Sequence, residues 1–359
     1  MHAAASDSVR PFEVIPLLEQ SAVALLERLH QLLRTRGYAS KTEDAYSRWV
    51  GRFLGFIGPL PAGGITVRHV EQFLDYQTER ALAPKSRNQA ASALSFFLRE
   101  VLGVEDVLDV PRARQPKTLP TVLSPGEVER VFLQLSGKYR LIGMTIYGTG
   151  ARVGEAAALR VKDVDFDLEQ VTIRGGKGHK DRWVPLPDRI RPALNRQVER
   201  VEHSRRIDRK RGGGWAALPH ALHRKDPGAG FRLSWQFLFP ASRPVVDPKT
   251  DRIGRYHIHT TAIQRQIKRA GQAAGILKTV TPHTLRRTFA TEMFRAGCDP
   301  ATLQRLLGHN DIRTRSAPSL SRERMRRSTE TLGSAASIFA TCCNVAPHTA
   351  RASAARPSR

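Results

Sequence analysis

Apolar residues recur at helical spacing through the first hundred positions. Leu25, Leu29, Leu32 and Leu33 form one stripe, which stops at Gly37. Trp49, Phe53 and Phe56 form a second, and Val70, Phe73 and Leu74 a third. Leu94, Phe97, Leu98 and Val101 form a fourth, closed at Gly103. The polar punctuation agrees with this pattern. Ser40 and Glu43 in S-K-T-E read as a capping box for the second helix, and Thr66 reads as the cap of the third. Residues 13–105 therefore predict a four-helix domain. The proline- and arginine-containing stretch V-P-R-A-R-Q-P-K-T-L-P falls in a predicted linker over 106–120.

A second domain is predicted over 121–314. It opens at Ser124-Pro125-Gly126-Glu127, a capping box with proline at the first helical position. The next helix is expected to end at Tyr147-Gly148, and Arg152 then stands at a turn entering another helix. Val171 to Leu186 alternates, turns on glycines and alternates again, which predicts a β-hairpin with Lys177 and Lys180 on its loop. Arg189–Arg211 reads as a basic helix. About 212–234 reads as an insertion with a short helix, Trp235–Pro240 as apolar strand or core, and Ala262–Ala274 as another basic helix. Thr281–Asp311 reads as two short helices: Thr281 caps the first and Gly297 closes it, Asp299 and Pro300 open the second and Gly308 closes that. The expected fold is mainly α with a small antiparallel sheet, an α+β arrangement.

Charge points to the partner. Lys and Arg outnumber Asp and Glu by 58 to 33, a formal net charge of +25. The segment from Arg315 onward holds eight arginines and two glutamates, so the remainder keeps 50 basic against 31 acidic residues. Such an excess in the folded part fits a polyanion, most simply nucleic acid, bound with strong salt dependence. Cys298, Cys342 and Cys343 give no disulfide framework and no metal-ligand spacing. No apolar run approaches the ~18 residues of a membrane span. The start of the chain lacks the apolar core of a secretion signal. The expectation is a soluble, cytoplasmic protein with no membrane partner.

The candidate chemistry is phosphoryl transfer. His283 and Arg286 project from one face of a helical first turn, where exposed N–H groups and the dipole favour an anion, and His309 follows the second helix. With Arg152 and Lys177 they form a composite phosphate site. Two arginines can clamp the non-bridging oxygens of a phosphodiester, a lysine can protonate a leaving alkoxide, and a histidine can act as general base or hydrogen-bond donor. No acidic cluster for Mg²⁺ and no Cys/His set for zinc stands out, so no metal or cofactor is expected. His257 and His259 have strand spacing for two ligands, but nothing in the sequence completes that set. Lys41, Lys85 and Arg87 sit at helix seams of the first domain and suit phosphate contacts, although solvated surface charge fits each equally well.

The motifs T-G-A-R-V-G-E, a glycine-flanked Lys177, H-T-L-R and L-L-G-H resemble the signature of the tyrosine recombinases of phage-integrase type, over residues about 15 to 314. More narrowly, L-R-V-K-D-V-D-F-D, G-K-G-H-K-D-R and A-L-P-H-A-L-H-R-K-D-P with F-L-F-P resemble integron integrases, which recombine gene-cassette attachment sites. The resemblance implies a helical core-binding (SAM-like) domain followed by a catalytic domain, together clamping DNA. It implies that Arg152 and Arg286 bind the scissile phosphate, that Lys177 is the general acid and His283 the general base, that His309 hydrogen-bonds the phosphate and that Glu155 buttresses the site. It also implies that Lys180 contacts DNA and that Trp235, Pro248, Tyr256 and His257 receive bases protruding from folded single-stranded attachment sites. Trp235 equally fits a core position beside Phe237 and Phe239. A tetrameric homo-oligomeric synapse is the implied assembly.

The chain departs from that pattern after Thr314. The family's nucleophilic tyrosine lies nine residues beyond the L-G-H histidine, and that position is Pro318; no tyrosine follows Tyr256. A frameshift near codon 314 would account for the Ser-, Ala- and Arg-rich stretch 315–359, which is expected to lack a fold. Three readings stay open: a recombinase that binds DNA without cleaving it, a DNA-binding relic that competes at attachment sites, and a type IB topoisomerase-like enzyme. A serine among Ser316, Ser319 and Ser321, or a repositioned Tyr147 or Tyr256, is the only substitute nucleophile in view.

Overall fold

The computed structural model describes residues 21–104, 112–113, 121–175, 181–219 and 221–308. The chain divides into two compact units, Met1–Thr118 and Leu119–Arg359.

The described residues of the first unit form four α-helices: α1 (Ala22–Thr35), α2 (Ser40–Ile57), α3 (Val67–Glu79) and α4 (Pro84–Phe96). Their apolar stripes meet in one core. Leu25, Leu29 and Leu33 from α1 pack with Trp49, Val50 and Phe53 from α2 and with Phe73 and Leu74 from α3. Phe53 meets both Phe73 and Phe97 edge-on, with ring centroids 5.7 and 6.4 Å apart. Thr66 caps α3 as expected, completed by His69. Two expectations need correction. The α-helical part of the fourth helix stops at Phe96, and a wide π-helical turn (Phe97–Val101) buries Phe97, Leu98 and Val101 before Gly103 reverses the chain at φ +69°. Ser40 is the first residue of α2 and caps nothing, and Glu43 bonds outward instead of back. Its carboxylate takes His30 Nδ1 at 2.7 Å and Arg34 Nε at 2.8 Å. A tertiary pairing with two partners on α1 outcompetes a local cap.

The second unit begins with α5 (Pro125–Gln134), opened by the Ser124–Glu127 capping box, and α6 (Gly137–Thr149). The latter ends two residues later than predicted, at Gly150 in the left-handed conformation (φ +63°). After α7 (Val153–Ala157) come β1 (Val164–Asp165), β2 (Gln170–Ile173) and β3 (Arg182–Pro185), an antiparallel sheet in sequence order. The β2–β3 pair is the expected hairpin, in register Ile173↔Arg182. Helix α8 (Arg191–Lys210) leads into the segment about 212–234, which holds α9 (Leu222–Lys225). A second hairpin, β4 (Val245–Asp247) with β5 (Arg252–Gly254), escaped the sequence reading because each strand is three residues long. The last described elements are α10 (Thr260–Ala273), α11 (Pro282–Arg295) and α12 (Pro300–Leu307). The cap residues Thr281 and Asp299 stand where the sequence places them.

The segment after α8 carries its own small core. Trp215, Leu218 and Ala229 are buried together, and Phe231 meets Trp215 edge-on at 5.1 Å. The fit is close on both sides. A Cβ on Gly230 would lie 2.4 Å from the Trp215 ring, and one on Gly254 would lie 1.7 Å from the Trp215 carbonyl oxygen. Trp215 Nε1 donates to Asp247 at 3.0 Å, which ties this core to β4.

No helix among the described residues is long and apolar enough to cross a membrane.

Candidate functional site

Three arginines from three elements converge on one carboxylate. Glu155, in the first turn of α7, accepts from the Arg152 amide at 2.8 Å and from Arg152 Nη1 at 2.7 Å. Arg182 on β3 approaches it with both Nη atoms, at 3.1 and 2.7 Å. Arg286 on α11 stands 3.8 Å away as an ion-pair partner. Burial alone would raise the Glu155 carboxyl. The hydrogen bonds from Arg182 and Arg152, with the charge of Arg182, outweigh it and hold the group down to about 2.

The C-terminal end of α12 supplies the other anchor. Its last carbonyls have no partner within the helix and lie at the negative end of the dipole. Each of three successive ones takes a different arginine. Leu306 accepts from Arg182 Nε at 2.8 Å, Leu307 from Arg286 Nη2 at 2.6 Å, and Gly308 from Arg152 Nη2 at 3.2 Å. Arg286 also donates to the Gly150 carbonyl at 2.6 Å. Burial, with repulsion from Arg152, lowers the Arg286 guanidinium to about 10, so it stays a cation at neutral pH.

The side chains differ in access. Arg286 is 5% exposed and Arg182 9%, whereas Arg152 is 31% exposed. His283 lies exposed in the first turn of α11, one turn before Arg286. The cluster thus has a buried base and an open, cationic side, which can bind an oxyanion through charge-assisted hydrogen bonds. Of the predicted site residues, Arg152, Glu155 and Arg286 come together directly. Lys177, Lys180, His309 and the position of Pro318 lie outside the described residues. Arg182 was missed by the sequence reading. Its signal was present, because period-two alternation puts it on the same strand face as buried Val184 while Trp183 between them is 59% exposed. An inward-facing arginine on a strand needs a carboxylate.

A second cluster gathers aromatic rings and cations. Phe237 is buried, with Tyr256 at 5.2 Å and His257 at 5.4 Å between ring centroids. Tyr256 and His257 lie 4.3 Å apart at 34°. The Arg160 guanidinium lies 4.3 Å from the Phe237 centroid and 5.3 Å from that of Trp235, and Lys162 Nζ lies 3.1 Å from the Trp235 centroid. Burial lowers Lys162 and His257 from their ordinary values. Trp235 is half-buried, between the core and contact positions that its sequence allowed. Tyr256 is 50% exposed. Pro248 is exposed on a separate element, the turn between β4 and β5. His259 caps α10 by accepting from the Thr261 amide.

In the first unit Lys41 and Lys85 are exposed in the first turns of α2 and α4, where helix N-termini favour anions. Arg87 is half-buried, and its Nε donates to Thr78 Oγ1 at 3.1 Å, joining α4 to α3.

Residues 122–318 match the phage integrase family, and residues 25–106 match the phage integrase N-terminal SAM-like domain. The chain is 39% identical over 302 residues to an integrase/recombinase of Escherichia coli, covering 83% of this chain and 90% of that one. It is 30% identical to tyrosine recombinase XerA of Thermococcus kodakarensis over 81% of this chain and 88% of that one. Among solved structures it is similar to lambda integrase as a tetramer bound to a Holliday junction, at TM-score 0.55 and 17% identity, covering 84% of this chain and 81% of that one. The chain belongs to the phage integrase family of site-specific tyrosine recombinases.

Proposed function

We propose that this recombinase is of the integron-integrase type, that it binds gene-cassette attachment sites, and that it does not form the covalent phosphotyrosyl link. One observation carries the reading. The last of its six tyrosines is Tyr256, and Pro318 occupies the position expected for the nucleophile, while the arginine cluster is assembled. In this scheme Arg152 and Arg286 take the non-bridging oxygens of the scissile phosphate, with Glu155 behind them. His283 serves as general base, Lys177 as general acid and His309 as a hydrogen-bond donor to the phosphate. The two tyrosines nearest in sequence are poor substitutes for the nucleophile: Tyr147 is 2% exposed, and Tyr256 packs against Phe237 and His257. The cluster of Trp235, Tyr256 and His257 supports recognition of unpaired bases in a folded single strand, because ring faces stack on any base. Lys41, Lys85, Arg87 and Lys180 add backbone contacts, and the net charge of +25 supports strong salt dependence. Family membership implies a homotetrameric synapse and action on DNA in the cytoplasm. Without cleavage, the chain acts as a competitor at the attachment site.

A nicked suicide oligonucleotide carrying a cassette attachment site tests both halves. The expected result is a retarded complex in a native gel and no adduct that survives SDS. An SDS-stable adduct overturns the loss of cleavage. Absence of a retarded complex overturns attachment-site binding.

A further inference from the structure

We infer that Arg182 is a positioning residue for the arginine pair: it neutralises Glu155 and pins the end of α12, so that Arg152 and Arg286 keep their positive charge for a DNA phosphate. The inference rests on the proposed attachment-site reading and deepens it.

Arg182 differs from the other two arginines in its grip on the carboxylate: its guanidinium lies bidentate on Glu155 and its Nε is taken by the Leu306 carbonyl, whereas Arg286, equally buried, stands 3.8 Å from Glu155 and Arg152 is 31% exposed. A Cβ on Gly308 would come within 3.1 Å of Arg182 Nη1, so the arginine fills the space beside that glycine. It therefore joins β3, α7 and α12 without facing solvent. Charge gives the join its consequence. Three guanidiniums around one carboxylate leave a net charge of +2; without Arg182 the net charge is +1. Glu155 would then be satisfied by Arg152 and Arg286 alone. A carboxylate that draws both arginines onto itself competes with an incoming phosphate for the same N–H groups. The Leu306 carbonyl would also lose its donor, and with it one of three bonds holding the α12 terminus in place.

A methylphosphonate scan reads this directly. Each phosphate of a cassette attachment-site oligonucleotide is replaced in turn by a neutral methylphosphonate, and binding is measured for wild type, Arg182→Ala and Arg182→Lys. Wild type is expected to lose most affinity when one particular phosphate is neutralised. Arg182→Ala is expected to shrink that loss by about tenfold, as removal of one nearby charge in a partly buried site predicts, and to leave the other positions unchanged. Arg182→Lys, which keeps the charge and loses the fork, is expected to fall between them. A purely structural role would lower Tm and leave the preference for the charged phosphate intact. That outcome in a folded variant, Arg182→Lys serving if the alanine variant does not fold, overturns the inference alone. A wild type with no preferred phosphate overturns both the inference and the attachment-site reading.

Discussion

Arg286 on α11 donates to the carbonyl of Gly150, 136 residues earlier in the chain, at 2.6 Å. That carbonyl is presented by a left-handed glycine whose missing side chain makes room for Phe289 and Leu307: a Cβ there would lie 2.6 Å from Phe289 and 3.0 Å from Leu307. Gly150→Ala is expected to cost about 2–4 kcal/mol, from the positive φ and the overpacking together. It should also weaken DNA binding, because the Arg286 anchor moves with the backbone. Urea unfolding and electrophoretic titration check the two effects, and an alanine variant of wild-type stability would contradict the packing described.

Glu155 gives the site an acid limit. Its folded-state pKa of about 2 lies below its ordinary 4.5, so its contribution is complete above about pH 4.5 and lost as pH falls toward 2. The shift corresponds to stability on the order of 3 kcal/mol. Urea midpoints measured from pH 2 to 5 should fall more steeply for wild type than for Glu155→Gln, which has no carboxyl to titrate. Parallel curves would remove Glu155 as the titrating group.

Helix punctuation was legible because it is local. Ser124 with Glu127, Thr281 with Thr284, and Asp299 with the Ala301 and Thr302 amides satisfy backbone groups within one turn, and a proline follows each cap, so spacing alone identifies them. Glu43 shows where that logic stops. It had a local option with Ser40 and took His30 and Arg34 instead, partners set by the packing of α1 on α2. The site follows the same division. Glu155 is three residues from Arg152 and readable as its partner, whereas Arg182 is 27 residues away and the α12 carbonyls more than 150. Gly308 marks the end of α12 in the sequence, but backbone acceptors leave no sign of their partners, so that this terminus takes all three arginines was not legible.

Trp235→Ala is expected to weaken binding of an attachment-site hairpin with protruding bases by about 1–3 kcal/mol, the usual contribution of one stacked base. Binding of a fully paired duplex of the same sequence should change far less, and Trp235→Phe should retain most of the hairpin affinity. Fluorescence anisotropy on the two DNAs provides the comparison. Equal losses on hairpin and duplex would assign Trp235 to holding Arg160 and Lys162 in place.

Gly254→Ala is expected to destabilise the second unit by about 1–3 kcal/mol, because its methyl group would meet the Trp215 carbonyl with no flexible atom to yield. The measurement is a shift in thermal midpoint. Trp215→Ala in the same background should not restore it, since the obstructing atom is main chain.

Gly230 is fitted to the Trp215 ring and Gly254 to the Trp215 main chain, so residues 212–234 and β5 meet at two close contacts. Residues 212–234 contribute Trp215 and Gly230 and β5 contributes Gly254, so this segment and the hairpin are not separable parts. Grafting residues 212–234 onto a recombinase without a glycine opposite Trp215 should give a misfolded chimera, and trimming them from this chain should leave Gly254 facing a void. The two segments are interdependent in the folded chain, and neither is replaceable without refitting the other.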